Sequence, residues 1–415
     1  MTNVHVSDTG GLARAGEPGQ HRGIAAVRSL WEYSVRRWRR GELGPLPVIV
    51  GLIAICAYFQ SQQSTFLSAR NLSNLVLQVG PIGAVAAGIV LVLLLGEIDL
   101  SVGSVAGLAS AVLGALMVNE GWPWWLALLT VLATGAAIGA FQGAWFAVVG
   151  VPSFVVTLAG FLVWQGVQLR VLGSTGTINV FETHIAKIAQ SYLPGYWGWI
   201  IGIGCAAGYA VATWAPQVRR RAMGLAAEPL AVTAAKTAVV AAIAVAAVEV
   251  LNSFNGVPTV GVVLLGLIVF FGWLTTRTRF GRYVYAVGGN AEAARRAGID
   301  IRLIRVVVFA TAGLMAAVGG IIFVSRLTAA STQTGGGTFL LEAIAAAVIG
   351  GTSLFGGRGS AWSALLGALV IGSVSNGLDL MAQPPEVKYM VEGAILLAAV
   401  TIDALARRSR MAAGR

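Results

Sequence analysis

A run of polar residues between two long apolar stretches carries the side chains that could do chemistry in this sequence. The run spans Gly96–Ser104 and contains two carboxylates and two serines. Ionisable groups within apolar stretches are rare, and they indicate a functional site or a specific partner. Because serine and aspartate favour helix starts, the run predicts a break between two helices. Two interpretations stay open: Asp99 or Ser101 only caps the following helix, or Glu97, Asp99 and Ser101 belong to a pathway or its gate.

A second interruption, Gly350–Ser360, consists mostly of glycine, serine and threonine and precedes the apolar stretch Ala361–Leu369. Like the first run, it contains Gly-Ser and is followed by a helix of small residues. Irregular backbone at membrane depth must be surrounded by protein or by a water-filled cavity. The two interruptions together suggest two repeats of the same orientation, with a pathway between them. The alternative is that the similarity arose by chance in low-complexity sequence.

A third segment, Asn290–Ile299, lies in the polar stretch 277–305 and predicts a short helix. Asn290 is a candidate N-cap, Glu292 is favourable in the first turn, and Gly298 is a candidate C-terminal stop. The segment is either a solvated loop or a surface on which a membrane domain docks to a cytoplasmic motor.

Several catalytic motifs are missing from the sequence. None of the three lysines lies in a GxxxxGK[ST] loop, so we predict that the chain itself does not bind or hydrolyse ATP. The histidines His5, His21 and His184 are far apart and form no HExxH motif, which argues against a catalytic metal site. The carboxylates Glu249, Glu342 and Glu392 lie close to predicted helix ends, where we expect them to be interfacial or paired.

The composition is that of a membrane protein. Of 415 residues, 57% are hydrophobic and 11% charged, with 54 glycines and a mean hydropathy of +0.79. A soluble domain carries roughly 25% charged residues. The net charge of +11 could indicate nucleic-acid binding, but the basic residues lie between apolar runs and not on one polar domain. Cys56 and Cys205 both lie in apolar runs, so no disulfide framework is predicted.

Apolar runs long enough to cross a bilayer, or nearly so, recur along the chain. They begin near Pro45, Leu75, Val102, Trp124, Ser153, Trp197, Leu230, Val257, Leu303, Leu340, Ala361 and Val387. The sequence therefore predicts an all-α polytopic membrane protein with about twelve transmembrane helices (between ten and twelve), some of them broken.

The positions of lysine and arginine predict the orientation, since cytoplasmic loops are enriched in both. With a cytoplasmic N-terminus, the inside segments hold 22 of the 28 basic residues and the outside segments five. Lys236 lies within a run. An even helix count then places the C-terminus in the cytoplasm too.

The sequence resembles the permeases of monosaccharide ABC importers, in their ribose/xylose branch. The matching stretches follow one another along the chain: Phe66–Leu75, Glu97–Ser104, Val151–Gly160, Gln190–Pro194, Phe280–Ile299 and Gly350–Gly357. The acidic residue before Ile98 and the additional helix near Leu230 favour the xylose type over the ribose type. A departure is Ser375, where an acidic residue is expected, and it makes xylose itself less secure as the substrate.

The resemblance and the polar residues within apolar stretches together predict roles for two groups of residues. Those that would sit on the ATPase are Asn290, Glu292, Ala293, Ala294, Arg295 and Gly298. Those expected in the substrate pathway or its gate are Glu97, Asp99, Ser101 and Asn376.

The pattern of polar and apolar segments predicts an organisation of the chain, and the resemblance implies a set of partners. Residues 1–44 are expected to form a basic, disordered cytoplasmic tail without a cleavable signal peptide, and 45–405 the inner-membrane permease domain, in which 276–302 is the cytoplasmic coupling loop. Residues 406–415 are expected to be a cytoplasmic tail.

The expected partners are a second copy of the chain, a cytoplasmic ABC ATPase that binds the ATP and Mg²⁺, an extracytoplasmic sugar-binding protein and a monosaccharide. The chain itself would need no cofactor and catalyse no reaction. The alternative is an ion-coupled secondary sugar transporter, which would need membrane carboxylates that titrate with the substrate.

Overall fold

The structure, a computed structural model, describes residues 46–412. The predicted disorder of residues 1–44 concerns a segment outside the described residues. The first eight helices are α1 (Leu46–Gln62), α2 (Ala69–Leu94), α3 (Val102–Gly114), α4 (Trp124–Ala144), α5 (Ser153–Leu172), α6 (Ala186–Gln190), α7 (Gly195–Ala222) and α8 (Leu230–Asn252). The remaining helices are α9 (Thr259–Arg277), α10 (Arg279–Gly289), α11 (Ala291–Arg296), α12 (Ile301–Leu327), α13 (Gly337–Ile349), α14 (Ala361–Leu380) and α15 (Pro385–Ala412). Helices α3 and α4 continue into short π-helical turns, Ala115–Asn119 and Trp145–Val149.

Each predicted apolar run is helical, which confirms the all-α membrane fold. The count of twelve spans is not confirmed, because nine helices in the described part of the chain are long and apolar enough to cross a membrane. Helices α1 and α13, with 17 and 13 residues, are shorter than the roughly 20 that a span needs. Helix α15 is also not among the nine, and it carries the charged residues Glu386, Lys388 and Glu392 near its start. The cytoplasmic orientation of both termini stays a prediction.

Four short strands join the loops that connect the helices. Strand β1 (Thr177–Asn179) pairs antiparallel with β4 (Ala329–Ser331), and β2 (Tyr192–Leu193) with β3 (Val257–Pro258). The first pair ties the loop after α5 to the loop after α12, and the second ties the start of α7 to the start of α9. By the predicted orientation, both pairs lie on the extracytoplasmic side.

The described residues divide into two compact units. One is Cys205–Ile243, the second part of α7 and the first part of α8. Within it, Lys236 forms an ion pair with Glu228 at 2.7 Å, and Trp214 donates a hydrogen bond to Thr237. The other unit contains the remaining helices and all the candidate site residues.

Helix α12 is the centre of the larger unit, and glycine lets its neighbours approach closely. On α4, Gly135, Gly139 and Gly143 recur every fourth residue and face α12. A Cβ at Gly139 would lie 2.1 Å from the backbone oxygen of Phe309, and one at Gly135 would lie 2.5 Å from that of Gly313. Such close backbone contact between small residues is a common way for helices to associate in a bilayer. Seven residues after Gly313 along α12, a Cβ at Gly320 would lie 2.2 Å from the backbone oxygen of Ala106 in α3.

This packing predicts that a single methyl group between α4 and α12 destabilises the protein. Replacing Gly139 with Ala should lower the free energy of unfolding by about 1–3 kcal/mol, because the methyl meets the Phe309 backbone and the helices must separate. The matched control is Gly266→Ala in α9, where nothing lies within 4 Å of the added methyl. Thermal unfolding in detergent should show a lower midpoint for Gly139→Ala alone. Equal midpoints for the two variants would contradict the close packing.

Candidate functional site

The predicted break between helices is present after α2. Helix α2 ends at Leu94, Gly96 adopts a left-handed conformation with φ of 77°, and α3 begins at Val102. Glycine reaches this conformation without the steric penalty that a side chain brings. Asp99 and Ser101 are buried, with 4% and 2% of their surface exposed.

Asp99 supports the start of α3. Its Oδ1 accepts hydrogen bonds from the Ser101 backbone N–H at 2.8 Å and from the Ser101 hydroxyl at 2.7 Å. Ser101 Oγ also lies 2.8 Å from the Gln142 side-chain amide of α4. The atom of Gln142 that faces Ser101 is Oε1, while its Nε2 has no partner among the described residues. Because a hydroxyl has one proton, both contacts form together when the Gln142 amide is turned by 180°, so that its Nε2 donates to Ser101 and Ser101 donates to Asp99. The hydrogen-bonded chain fastens the break to α4.

Glu97 points to a different set of partners. Its Oε2 accepts a hydrogen bond of 2.7 Å from the Ser153 hydroxyl in α5, and its Oε1 lies 3.2 Å from the Arg305 guanidinium in α12. Burial raises the pKa of Glu97, while Ser153 and Arg305 act in the opposite direction. The Arg305 guanidinium also lies over the Phe146 ring, 4.4 Å from its centroid. The carboxylate thus joins the break to α5 and α12.

The two glycine-rich interruptions meet each other, although they are far apart in the sequence. The Gly357 N–H donates to the Leu94 carbonyl at 2.9 Å, at the end of α2. A Cβ at Gly356 would lie 2.7 Å from the Gly288 carbonyl and 3.0 Å from the Gly96 nitrogen. Three backbone segments therefore pack at one junction, where side chains would not fit. That the two interruptions belong to two repeats of the same orientation stays a prediction.

The Asn290–Ile299 segment folds as predicted. Asn290 accepts a hydrogen bond of 2.9 Å from the Ala293 N–H and caps α11. At the other end Gly298 has φ of 81°, and the N–H groups of Gly298 and Ile299 donate to the carbonyls of Arg295 and Ala294. This pattern is a Schellman motif, in which the backbone closes the last turn of a helix.

The side chains of α11 present charge to solvent. Glu292 forms ion pairs with Arg295 at 2.8 Å and with Arg296 at 3.2 Å. Hydrogen bonds from these two arginines lower the pKa of Glu292. The side chains are 51% exposed for Glu292 and 69% for Arg295, whereas Ala294 is buried against the larger unit. The helix is therefore anchored on one face and available to a partner on the other.

Asn376 does not join Glu97, Asp99 and Ser101. It exchanges two hydrogen bonds, of 2.8 and 3.2 Å, with Asn71 near the start of α2, and both side chains are buried. The break lies at the other end of α2, about 35 Å away at ~1.5 Å per residue. The structure thus places the predicted pathway residues in two groups at opposite ends of α2. Asn71 is a partner that the sequence did not indicate.

A cavity that the sequence did not indicate lies between α2, α12, α13 and α14. Its volume is about 180 Å³. Its lining includes Gln78, Phe323, Arg326, Phe339, Glu342, Ser375 and Asp379. Among residues 46–412 no group of three His, Cys, Asp or Glu side chains could hold a metal ion.

Comparisons with known proteins bear on the chain as a whole. The xylose transport system permease protein XylH of Escherichia coli is 42% identical over 363 residues, 87% of this chain and 92% of the relative. Its namesake from Haemophilus influenzae is 37% identical over 359 residues, 86% of this chain and 95% of the relative. The ribose import permease protein RbsC of Escherichia coli is 32% identical over 359 residues, 86% of this chain and 92% of the relative. No solved structure matches the chain significantly.

The family described as the permease component of the branched-chain amino acid transport system matches residues 71–400, which include every candidate site residue. Its members and the relatives above are transport permeases, and within residues 46–412 nine helices are long and apolar enough to cross a membrane. The resemblance to monosaccharide importer permeases of the ribose/xylose branch is confirmed. The chain therefore belongs to this permease family, as a multi-pass protein of the inner membrane.

Proposed function

We propose that the chain is the membrane-spanning subunit of an ATP-binding cassette importer that carries a monosaccharide, D-xylose or a related pentose or hexose. The observation that carries the proposal is the 42% identity to a xylose transport system permease over 92% of that protein's length. A ribose permease also matches over most of its length. This match supports a monosaccharide as the substrate and does not favour one particular sugar.

In this proposal a cytoplasmic ATPase binds ATP and Mg²⁺ and docks on α11. Three observations support α11 as the docking element: its exposed charges, its caps at both ends, and the buried Ala294 that fixes its position. A helix capped at both ends keeps its shape when its partner leaves. A second copy of the chain and an extracytoplasmic sugar-binding protein complete the proposed importer.

The proposed coupling route runs from α11 to the break after α2. Asp300, four residues after α11 ends, caps α12 by accepting a hydrogen bond of 3.1 Å from the Leu303 N–H. Arg305 follows in the next turn of α12 and forms the ion pair with Glu97. A displacement of α11 therefore reaches Glu97 through a short, rigid helical segment. Alternating access would be the change in packing that this displacement starts.

Asp99, Ser101 and Asn376 take supporting roles in this proposal. Asp99 and Ser101 hold the start of α3 against Gln142, and Asn376 holds the start of α2 through Asn71. These contacts favour the capping interpretation for Asp99, while Glu97 is the residue that links the break to α12.

The proposal is tested by sugar uptake into vesicles that contain the chain, its ATPase and its binding protein. Uptake of radiolabelled D-xylose should require ATP and should persist when an uncoupler removes the ion gradient at constant ATP. The chain alone should hydrolyse no ATP, because it has no GxxxxGK[ST] loop. Uptake that collapses with the uncoupler would instead support an ion-coupled transporter.

The docking role of α11 predicts the effect of reversing one charge. Glu292→Lys opposes the helix dipole at the first turn and replaces two ion pairs with repulsion from Arg295 and Arg296. Sugar-dependent ATPase activity should fall several-fold while membrane insertion is unchanged, since the side chain is in water. The matched control is Glu182→Lys, an exposed residue in the loop after β1. If Glu292→Lys binds and stimulates the ATPase as the parent does, α11 is not the docking element.

A further inference from the structure

The cavity between α2, α12, α13 and α14 is built from polar and aromatic groups in the interior of a membrane protein. Its volume of about 180 Å³ is well above the ~30 Å³ that one water molecule occupies in the liquid. Polar side chains within a membrane domain are energetically costly, so those that line a cavity indicate a functional surface.

Two ionisable side chains in the cavity have no direct partner in the described residues. Within the described chain, the Arg326 guanidinium and the Glu342 carboxylate form no hydrogen bond or ion pair, although each lies in the other's electrostatic field. Gln78, on the facing helix α2, likewise has no side-chain hydrogen bond in the described residues. Asp379 is different, because it is paired with Lys388. The cavity therefore contains a donor group, an acceptor group and an amide that can serve as both.

Aromatic rings form another part of the wall. Phe323 and Phe339 contact each other edge to face, with centroids 5.2 Å apart. Ligand sites are mostly apolar and aromatic, with a few convergent polar groups that fix the orientation of the ligand. A monosaccharide has both surfaces that this wall would match: hydroxyl groups that donate and accept, and C–H faces that pack on aromatic rings.

A polar stripe along α2 connects the cavity with the end of that helix. Arg70, Asn74 and Gln78 recur every fourth residue and so share one face. Arg70 and Asn74 line a second, wider pocket of about 490 Å³, and Gln78 lines the first cavity. Pro81 has no N–H to donate to the Leu77 carbonyl, which leaves an acceptor between the two pockets.

We propose that this cavity binds the monosaccharide during import, with Glu342, Arg326 and Gln78 on its hydroxyl groups and the phenylalanine pair on its C–H face. The site deepens the proposed function and rests on it. By the predicted orientation the cavity lies in the outer half of the membrane, so sugar released by the binding protein reaches it along the Arg70–Gln78 stripe.

The test uses the complete importer with one reporter cysteine. Cys56 and Cys205 are replaced by serine, and Ser375→Cys places a thiol in the cavity wall. D-xylose at about ten times its dissociation constant should slow modification by a small thiol reagent about tenfold, because only the empty cavity reacts. A cysteine at Thr177, in exposed strand β1, should react at the same rate with and without sugar.

A second variant identifies the recognition group. Glu342→Gln keeps the size of the side chain and replaces its carboxyl group with an amide, so the half-protecting concentration of D-xylose should rise about tenfold or more. Glu249→Gln, the same change at an exposed position near the end of α8, should leave that concentration unchanged.

The outcomes separate the two proposals. If the parent importer takes up D-xylose with ATP but the sugar does not protect Ser375→Cys, the cavity proposal is overturned and the proposed function stands. If protection is the same for Glu342→Gln and the parent, the assignment of Glu342 is overturned. If the parent importer takes up another pentose or hexose instead of D-xylose, the protection is measured with that sugar; if it takes up none, the proposed function and the sugar site both fail.

Discussion

The ion pair between Glu97 and Arg305 is the interaction on which the proposed mechanism depends. It joins a break in the backbone after α2 to α12, the helix that follows α11. Both side chains are largely shielded from water, with 28% of Arg305 and 18% of Glu97 exposed. Removing one member of such a pair leaves the other charge partly buried without compensation, which is strongly unfavourable. The pair therefore tends to move as a unit, and a shift of α12 is transmitted to the break.

The rest of the fold keeps that pair in place. The glycines of α4 allow α12 to approach within backbone contact, so α12 has rigid support along one side. Ser153 and Phe146 hold the two charged groups from α5 and from the π-helical turn after α4. The junction of the glycine-rich interruptions packs beside the end of α2. Close packing of this kind favours discrete arrangements over gradual deformation, as the proposed alternating access requires.

Local features of the fold could be predicted from the sequence. The apolar runs indicated the long helices, and the caps Asn290 and Gly298 indicated α11, because capping depends on residues only a few positions apart. The boundaries were less certain: α2 begins at Ala69 and not at Leu75, since the polar residues of its first turns interrupt the apolar pattern. The number of spans was not fixed, because short helices such as α13 look like interrupted runs.

Long-range pairing could not be predicted in the same way. Glu97 and Arg305 are 208 positions apart, and Asn71 and Asn376 are 305 apart, so no local pattern relates them. The sequence therefore grouped Asn376 with Asp99, whereas the structure places it at the opposite end of α2. Glu342 was expected to be interfacial or paired. The structure places it on the wall of a cavity formed by four helices, and no local sequence pattern shows such a position. One signal was available: Arg70, Asn74 and Gln78 form a polar stripe along one face of α2.

The central claim, that Glu97 and Arg305 couple the ATPase to the break, is tested most directly by a double-mutant cycle. Sugar-stimulated ATPase activity of the importer is measured for Glu97→Gln, Arg305→Gln and the double variant, per amount of folded protein. If the two residues act through their contact, each single change lowers the activity and the double change lowers it little further. Effects of residues that do not interact add to within about 0.3–0.5 kcal/mol. Additive losses in this cycle would contradict the account.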